Sequence, residues 1–273
     1  MASFNEISLQ KLSKLIGTPE CPLIIDVRID DDFANDPELI PTAFRHPHND
    51  ILSIVEKTCN RNVIIYCQKG LKLSQGAAAI LRNQGVNVET LEGGQLAWRD
   101  ANLPMVSTNQ IPALESNKKT VWVTRHRPKI DRVACPWFIR RFVDPNAQFL
   151  FVSPSQVLNV AEKFDAIPFD VEGVFWSHRG DKCTFDTMLN EFNIHMEALD
   201  RLAKIIRCAD TNSNNLAPEA AGLLAVSLGL SRMFRDDLKQ LDAAMLLYDA
   251  LFRWARDATD EKHDWPVTAG KHN

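Results

Sequence analysis

The segment Val63 to Gly85, VIIYCQKGLKLSQGAAAILRNQG, limits what this chain can fold into more than any other. Val63-Ile64-Ile65-Tyr66 is a short, strongly apolar run and predicts a buried strand. Ser74 to Gly85 predicts a helix, with Ser74 as N-cap and Gly85 as the stop. Cys67 stands at the end of the strand, and a seven-residue stretch leads from the strand to the helix. A buried strand feeding a helix is the unit of a layered α/β fold.

The same alternation runs through the first hundred residues. Ile7, Leu9, Leu12, Leu15 and Ile16 have helical spacing, with Gly17 as the stop. Leu23-Ile24-Ile25-Asp26-Val27, bounded by Pro22 and a charged stretch, predicts another buried strand. Val86 to Leu91 predicts a third, ending at Gly93-Gly94. Residues 1–106 are therefore expected to form an α/β domain, a parallel-type sheet flanked by helices. Residues 107–120 are polar, carry Pro112 and lack periodicity, which predicts a linker. Residues 121–258 predict a second, mostly helical α+β domain. Its strands are expected at Val121–Thr124, Gln148–Val152 and Ala166–Phe169, with helices beyond Thr184. Leu238, Leu241, Met245, Tyr248, Leu251, Phe252 and Ala255 mark a long amphipathic helix. Ala217 to Leu230 is apolar on nearly every face and is expected to be a central helix. Residues 259–273 read as a polar tail.

Composition narrows the function classes. In 273 residues, 45% are hydrophobic and 24% charged, enough apolar mass for real cores. Lys and Arg total 31 against 35 Asp and Glu, so the net charge of −4 argues against a globally basic nucleic-acid binder. No apolar run approaches the ~18 residues of a membrane helix, and the N-terminus lacks the pattern of a signal peptide. The six cysteines form no CxxC pair, which predicts reduced thiols and a cytoplasmic protein. Neither nucleic acid nor membrane is an expected partner, and the oligomeric state is left open.

Cys67 carries the chemistry of the first half. Loop N–H groups can converge on a sulfur in such a turn, and the helix N-terminus adds positive potential. Lys69 and Lys72 add full charges, and Gly70 permits a tight turn. These features favour a thiolate, the nucleophilic form. The plainer alternative is a small buried hydrophobe at a strand end.

The first half resembles a rhodanese domain over about a hundred residues. Ile24-Ile25-Asp26-Val27-Arg28, Ile40-Pro41-Thr42-Ala43, Tyr66-Cys67, Ala77-Ala78 with Leu81, and Glu92-Gly93-Gly94-Gln95-Leu96-Ala97-Trp98 before Leu103-Pro104 are similar to the family's motifs in order. The resemblance implies sulfur transfer through a persulfide on Cys67, from a small anionic donor such as thiosulfate to a thiol, cyanide or protein acceptor, with no cofactor required. It implies a substrate-binding loop of Gln68, Lys69, Gly70, Leu71, Lys72, Leu73 and Ser74, with Asp26 and Arg28 as a supporting ion pair. Ser74 falls at the seventh position after Cys67, whereas the family's common single-domain form closes its loop one residue earlier. The related phosphatases need arginine at the sixth position, where this chain has Leu73, so phosphatase activity is not expected.

Lys118 to Arg141 carries eight basic residues against one acid, Asp131. Pro136 reads as a first helical position, with Cys135 as N-cap. Arg125, Lys129, Arg132 and Cys135 are thus anion-binding candidates, the alternative being a solvated cationic face with a buried cysteine. In Ser177–Met188, Cys183 is expected to precede a helix capped by Thr184. His178 and Cys183 could supply two ligands to a transition metal, joined by Cys135 or Asp131. Trp122, Trp137 and Trp176 read as core aromatics.

These segments resemble the C-terminal domain of the ChrB chromate-resistance family. Thr124-Arg125, Arg127-Pro128-Lys129-Ile130-Asp131-Arg132, Ala134-Cys135-Pro136-Trp137, Pro168-Phe169-Asp170, His178 with Gly180, Cys183-Thr184-Phe185 and Ala217–Leu223 carry the likeness. The expectation is a sulfurtransferase fused to an oxyanion- or metal-responsive domain linked to chromate resistance. The alternative is a non-catalytic rhodanese-fold module joined to a chromate, oxyanion or metal sensor. The family's regulatory members have a different N-terminal domain, so DNA binding does not carry over.

Overall fold

Two short runs rich in isoleucine, Leu23–Asp26 and Val63–Tyr66, build the centre of the first half. In the computed structural model, which describes residues 5–109, 111, 119–211 and 217–261, they are adjacent parallel strands. The elements of this half are β1 (Glu6–Ile7), α1 (Leu9–Leu15), β2 (Leu23–Asp26), α2 (Asp30–Ala34), β3 (Glu38–Leu39) and β4 (Phe44–Arg45). A 3-10 stretch (His48–Ile54) leads into α3 (Val55–Thr58), followed by β5 (Val63–Tyr66), α4 (Lys72–Asn83), β6 (Val88–Leu91), α5 (Gly94–Asp100) and β7 (Val106–Ser107).

The sheet order is β1-β6-β5-β2-β4, with every pairing parallel. All residues of β2 and β5 are buried, as a parallel sheet covered on both faces requires. Strand alternation divides them. Ile25, Val63 and Ile65 pack with Ala77, Ala78 and Leu81 of α4, whereas Ile24, Ile64 and Tyr66 join the larger core with Leu12 and Trp98. Asp26 lies opposite Tyr66, so Arg28 and Cys67 leave the sheet at the same carboxyl edge.

Helix α4 begins at Lys72, two residues before the expected N-cap. Ser74 turns its hydroxyl back to Leu71 O, 3.1 Å away, and sits inside the first turn. The stretch between strand and helix is therefore Cys67–Leu71, five residues rather than seven. The expected domain boundary between 106 and 107 falls within β7, which pairs antiparallel with β3. Most of the expected linker, 110 and 112–118, lies outside the described residues, as does 262–273 of the polar tail.

The second half comprises β8 (Val121–Arg125), α6 (Asp131–Phe138), β9 (Gln148–Val152), α7 (Val157–Phe164), β10 (Ile167–Pro168), α8 (Thr184–Glu191), α9 (Glu197–Asp210), α10 (Glu219–Met233) and α11 (Asp237–Asp257). Its sheet runs β10-β8-β9, all parallel. Val123 faces α7, while Trp122 faces the helical core. Helix α11 buries Leu241, Met245, Tyr248, Phe252 and Ala255 of the expected stripe, whereas Leu251 is only partly buried and Leu238, in its first turn, is exposed.

Helix α10 departs from expectation: it is not central. It buries only Ala220, Leu223, Ser227 and Ser231, and leaves Val226, Leu228 and Met233 exposed. The stripe it buries is narrow and made mostly of small residues, and it packs against α9 and α11. Among the described residues, no helix is long and apolar enough to cross a membrane.

Candidate functional site

Cys67 follows the last residue of β5 and is nearly buried, at the floor of a cavity of about 620 Å³. The cavity is lined by Gln68, Lys69, Leu71, Lys72 and Leu73 from its own loop and helix, and by Ile29, Asp32 and His48 from neighbouring segments. These last three were not legible as site residues, since only the parallel sheet brings their loops to the same edge. The Cys67 sulfur lies 3.3 Å from the Ser74 hydroxyl oxygen.

The loop is clamped from behind. The amides of Gln95 and Leu96 in the first turn of α5 donate to the carbonyls of Cys67 and Gln68, each at 3.0 Å. In a trans peptide the N–H points opposite to the C=O, so the amides of Gln68 and Lys69 point away from α5. Gly70 and Gly94 make this approach feasible, both with positive φ. A Cβ on Gly94 would stand 2.3 Å from Cys67 O.

Asp26 and Arg28 form a fully buried ion pair, with Arg28 Nε donating to Asp26 Oδ2 at 2.8 Å. The same guanidinium donates to the carbonyls of Asp36 and Glu38, tying β3 to the end of β2. Its position supports the edge rather than lining the cavity.

The second half corrects several expectations. Helix α6 starts at Asp131, so Cys135 is an interior, fully buried helical residue and not an N-cap. Burial and the neighbouring Asp131 push its thiol well up, away from thiolate. Arg125 and Arg132 do not face an open anion site: both pair with Asp170 Oδ2, at 3.2 and 3.1 Å. Lys129 lines a separate hollow with Arg127, Leu228, Ser231 and Arg232. The four anion candidates are thus not assembled into one site. Cys183, rather than Thr184, caps α8 in a reciprocal pair with Asp186. Burial and Asp131 raise its thiol too.

His178 does sit in a charged centre, but its partners are carboxylates. Its Nε2 lies 3.4 Å from Asp131 Oδ2, 3.3 Å from Asp170 Oδ1 and 3.3 Å from Asp210 Oδ2. These hydrogen bonds push the imidazole up to about 12. Burial raises Asp131; it also works to raise Asp170, but His178 and Arg132 outweigh it and hold that carboxyl low. Cys135 Sγ is 3.8 Å from Asp131 Oδ1, and neither cysteine belongs to the His178 cluster. The motif segments contained Asp131 and Asp170, but Asp210 carried no local signal.

A cysteine in the turn from a central parallel strand to a helix, clamped by a second helix, defines a rhodanese-like domain. Residues 8–101 match the Rhodanese-like domain family, and residues 122–255 match the ChrB, C-terminal domain family. The chain belongs to the rhodanese-like family through its first half, and its second half is similar to the ChrB C-terminal domain. Protein ChrB of Cupriavidus metallidurans is 32% identical over 171 residues, covering 58% of this chain and 51% of that protein. The chain thus spans about half the length of that relative. A sulfurtransferase of Allochromatium vinosum is 32% identical over 104 residues, 38% of this chain and 95% of that protein. The crystal structure of a rhodanese-like domain protein from Staphylococcus aureus aligns with a TM-score of 0.32 at 26% identity, covering 35% of this chain and 91% of that chain.

Proposed function

We propose that the chain is a sulfurtransferase that carries sulfur as a persulfide on Cys67. The observation that carries this reading is the placement of Cys67 at the floor of a cavity rimmed by Lys69 and Lys72, with Ser74 in hydrogen-bond range. The Cys67 thiolate attacks the outer sulfur of thiosulfate. A Cys67 S–S bond forms, the donor's S–S bond breaks, and sulfite leaves with the electron pair. Cyanide or an acceptor thiolate then attacks the outer persulfide sulfur, and Cys67 leaves as thiolate. Each displacement balances without a cofactor. The lysines attract the anionic donor, and the outward amides of Gln68 and Lys69 can stabilise the departing charge. The six free cysteines suit a reducing cytoplasm.

The ChrB C-terminal domain supports a link to chromate, in which this sulfur-transfer unit serves thiol repair or sulfur relay under oxyanion stress. An unchanged growth limit in chromate after deletion of the gene would remove that link.

The decisive assay is thiocyanate formation from cyanide, with thiosulfate and separately with 3-mercaptopyruvate as donors. Turnover in the intact chain that disappears in Cys67→Ser is the expected result, and the active donor names the substrate class. A folded chain that turns over neither donor would overturn the enzyme reading and favour a sensor with a rhodanese-fold module.

A further inference from the structure

The sulfur-transfer reading makes no use of the His178 cluster. We propose that Asp131, Asp170 and His178 bind one divalent first-row metal ion, of the class that takes oxygen and imidazole ligands, such as Mn²⁺ or Fe²⁺, with Asp210 beside His178 as a further negative charge.

The separations fit a shared ion. His178 Nε2 stands 3.4 Å from Asp131 Oδ2 and 3.3 Å from Asp170 Oδ1, and one donor atom from each of these three residues lies within 4.8 Å of the other two. A metal about 2.1 Å from each of its ligands spaces neighbours by about 3.0 Å in octahedral and about 3.4 Å in tetrahedral coordination. One ring nitrogen carries at most one proton, which cannot satisfy three carboxylates with good geometry. A cation between them can.

The ligands come from α6 and from the segment between β10 and α8, and are held in place by others. Asp131 accepts the amides of Thr184 and Phe185, at 2.6 and 3.1 Å. Asp170 accepts the Thr184 hydroxyl and pairs through its other oxygen with Arg125 and Arg132. Such outer partners orient carboxylate ligands in metal sites. Asp210 closes α9, so the negative end of that helix dipole adds to the field favouring a cation.

A second observation is independent of the acids. Thr124 is fully buried, and its hydroxyl has no hydrogen-bond partner. On β8 it shares the face of Trp122, opposite to Val123 and α7. The parallel register with β10 continues through Phe169 N to Val123 O, which sets Thr124 beside Phe169, one residue before Asp170. An unmet buried hydroxyl at that position suits a metal-bound water. The His178 side chain is 40% exposed, which leaves an entry path. Cys135 and Cys183 lie outside the cluster, so the donor set is oxygen and nitrogen, not the thiolate that softer ions prefer.

This proposal does not rest on Cys67. The test uses the full chain, stripped with chelator and titrated with Mn²⁺ alone and with Zn²⁺ alone. Free Mn²⁺ is read by electron paramagnetic resonance, Zn²⁺ by calorimetry, and the melting temperature is followed in parallel. The expected result is one ion per chain, a melting temperature raised by metal, and affinity lowered about tenfold or more in both His178→Gln and Asp210→Asn. These two side chains are partly exposed, so their variants fold where a change at buried Asp131 could fail. Cys67→Ser is expected to bind metal as the parent does. A folded chain that binds neither ion at millimolar concentration, or whose binding is unchanged in both cluster variants, overturns the proposal and leaves a closed ion-pair network.

Discussion

Ser74 has one hydroxyl hydrogen and two neighbours for it, Leu71 O and the Cys67 sulfur. In the thiol form Cys67 can donate to Ser74 while Ser74 donates to Leu71 O. In the thiolate form Ser74 can donate its hydroxyl hydrogen to the sulfur instead of to Leu71 O, so Ser74 is placed to stabilise the thiolate. A hydrogen bond to a charged group contributes about 1.5–3 kcal/mol, so Ser74→Ala is expected to lower kcat/KM for sulfur transfer about ten- to hundredfold. Unchanged kinetics in a folded variant would reduce Ser74 to packing. The Asp26–Arg28 pair makes a stability prediction instead. Arg28→Met leaves a buried carboxylate unpaired and is expected to cost about 3–5 kcal/mol in denaturant unfolding. A loss near zero would mean that Asp26 finds another partner. At this scale Cys67 was legible because its environment is contiguous in sequence, strand then turn then helix. The His178 cluster was half legible: Asp131 and His178 stood in readable motifs, but nothing local tied Asp210 to them.

Among the elements, those with strong burial on one side came through best. The strands β2 and β5 and the stripe of α11 are dictated by apolar spacing alone. Helix ends were less legible. Hydroxyl and thiol side chains suit several positions in a first turn, and tertiary partners choose among them: Thr184 was drawn to Asp170, leaving Cys183 to cap α8. Helix α10 shows a further limit, because alanine and glycine serve equally at buried and exposed positions. Gly222 and Gly229 lie in its interior, and a Cβ at either meets nothing within 4 Å. Gly229→Ala is therefore expected to stabilise the chain by about 0.5–1 kcal/mol, read as a higher urea midpoint. A lower midpoint would show that this face is covered by something the isolated chain already binds.

Across the whole molecule the two halves share one apolar cluster. Phe142 O accepts the Thr42 amide at 2.9 Å, Phe192 O accepts the Ser107 amide at 3.1 Å, and Arg256 reaches Lys14 O at 3.0 Å. Gly17, readable as the stop of α1, has a second role: a Cβ there would stand 2.5 Å from the Phe142 ring and 2.7 Å from that of Phe252. Phe142→Ala is expected to cost about 3–5 kcal/mol and to speed hydrogen exchange in both α1 and α11. Faster exchange in α11 alone would show the halves to be energetically separate. The sequence by itself determined the alternation of strand and helix, the strand-to-helix turn that holds Cys67 and the rhodanese-like character of the first half, because these rest on neighbours within a few residues. Tertiary structure alone decided the cavity rim at Ile29, Asp32 and His48, the capture of Arg125 and Arg132 by Asp170, and the carboxylates around His178. Those contacts join residues tens of positions apart, and hydrophobic periodicity carries no record of which distant charge a folded core will set beside another.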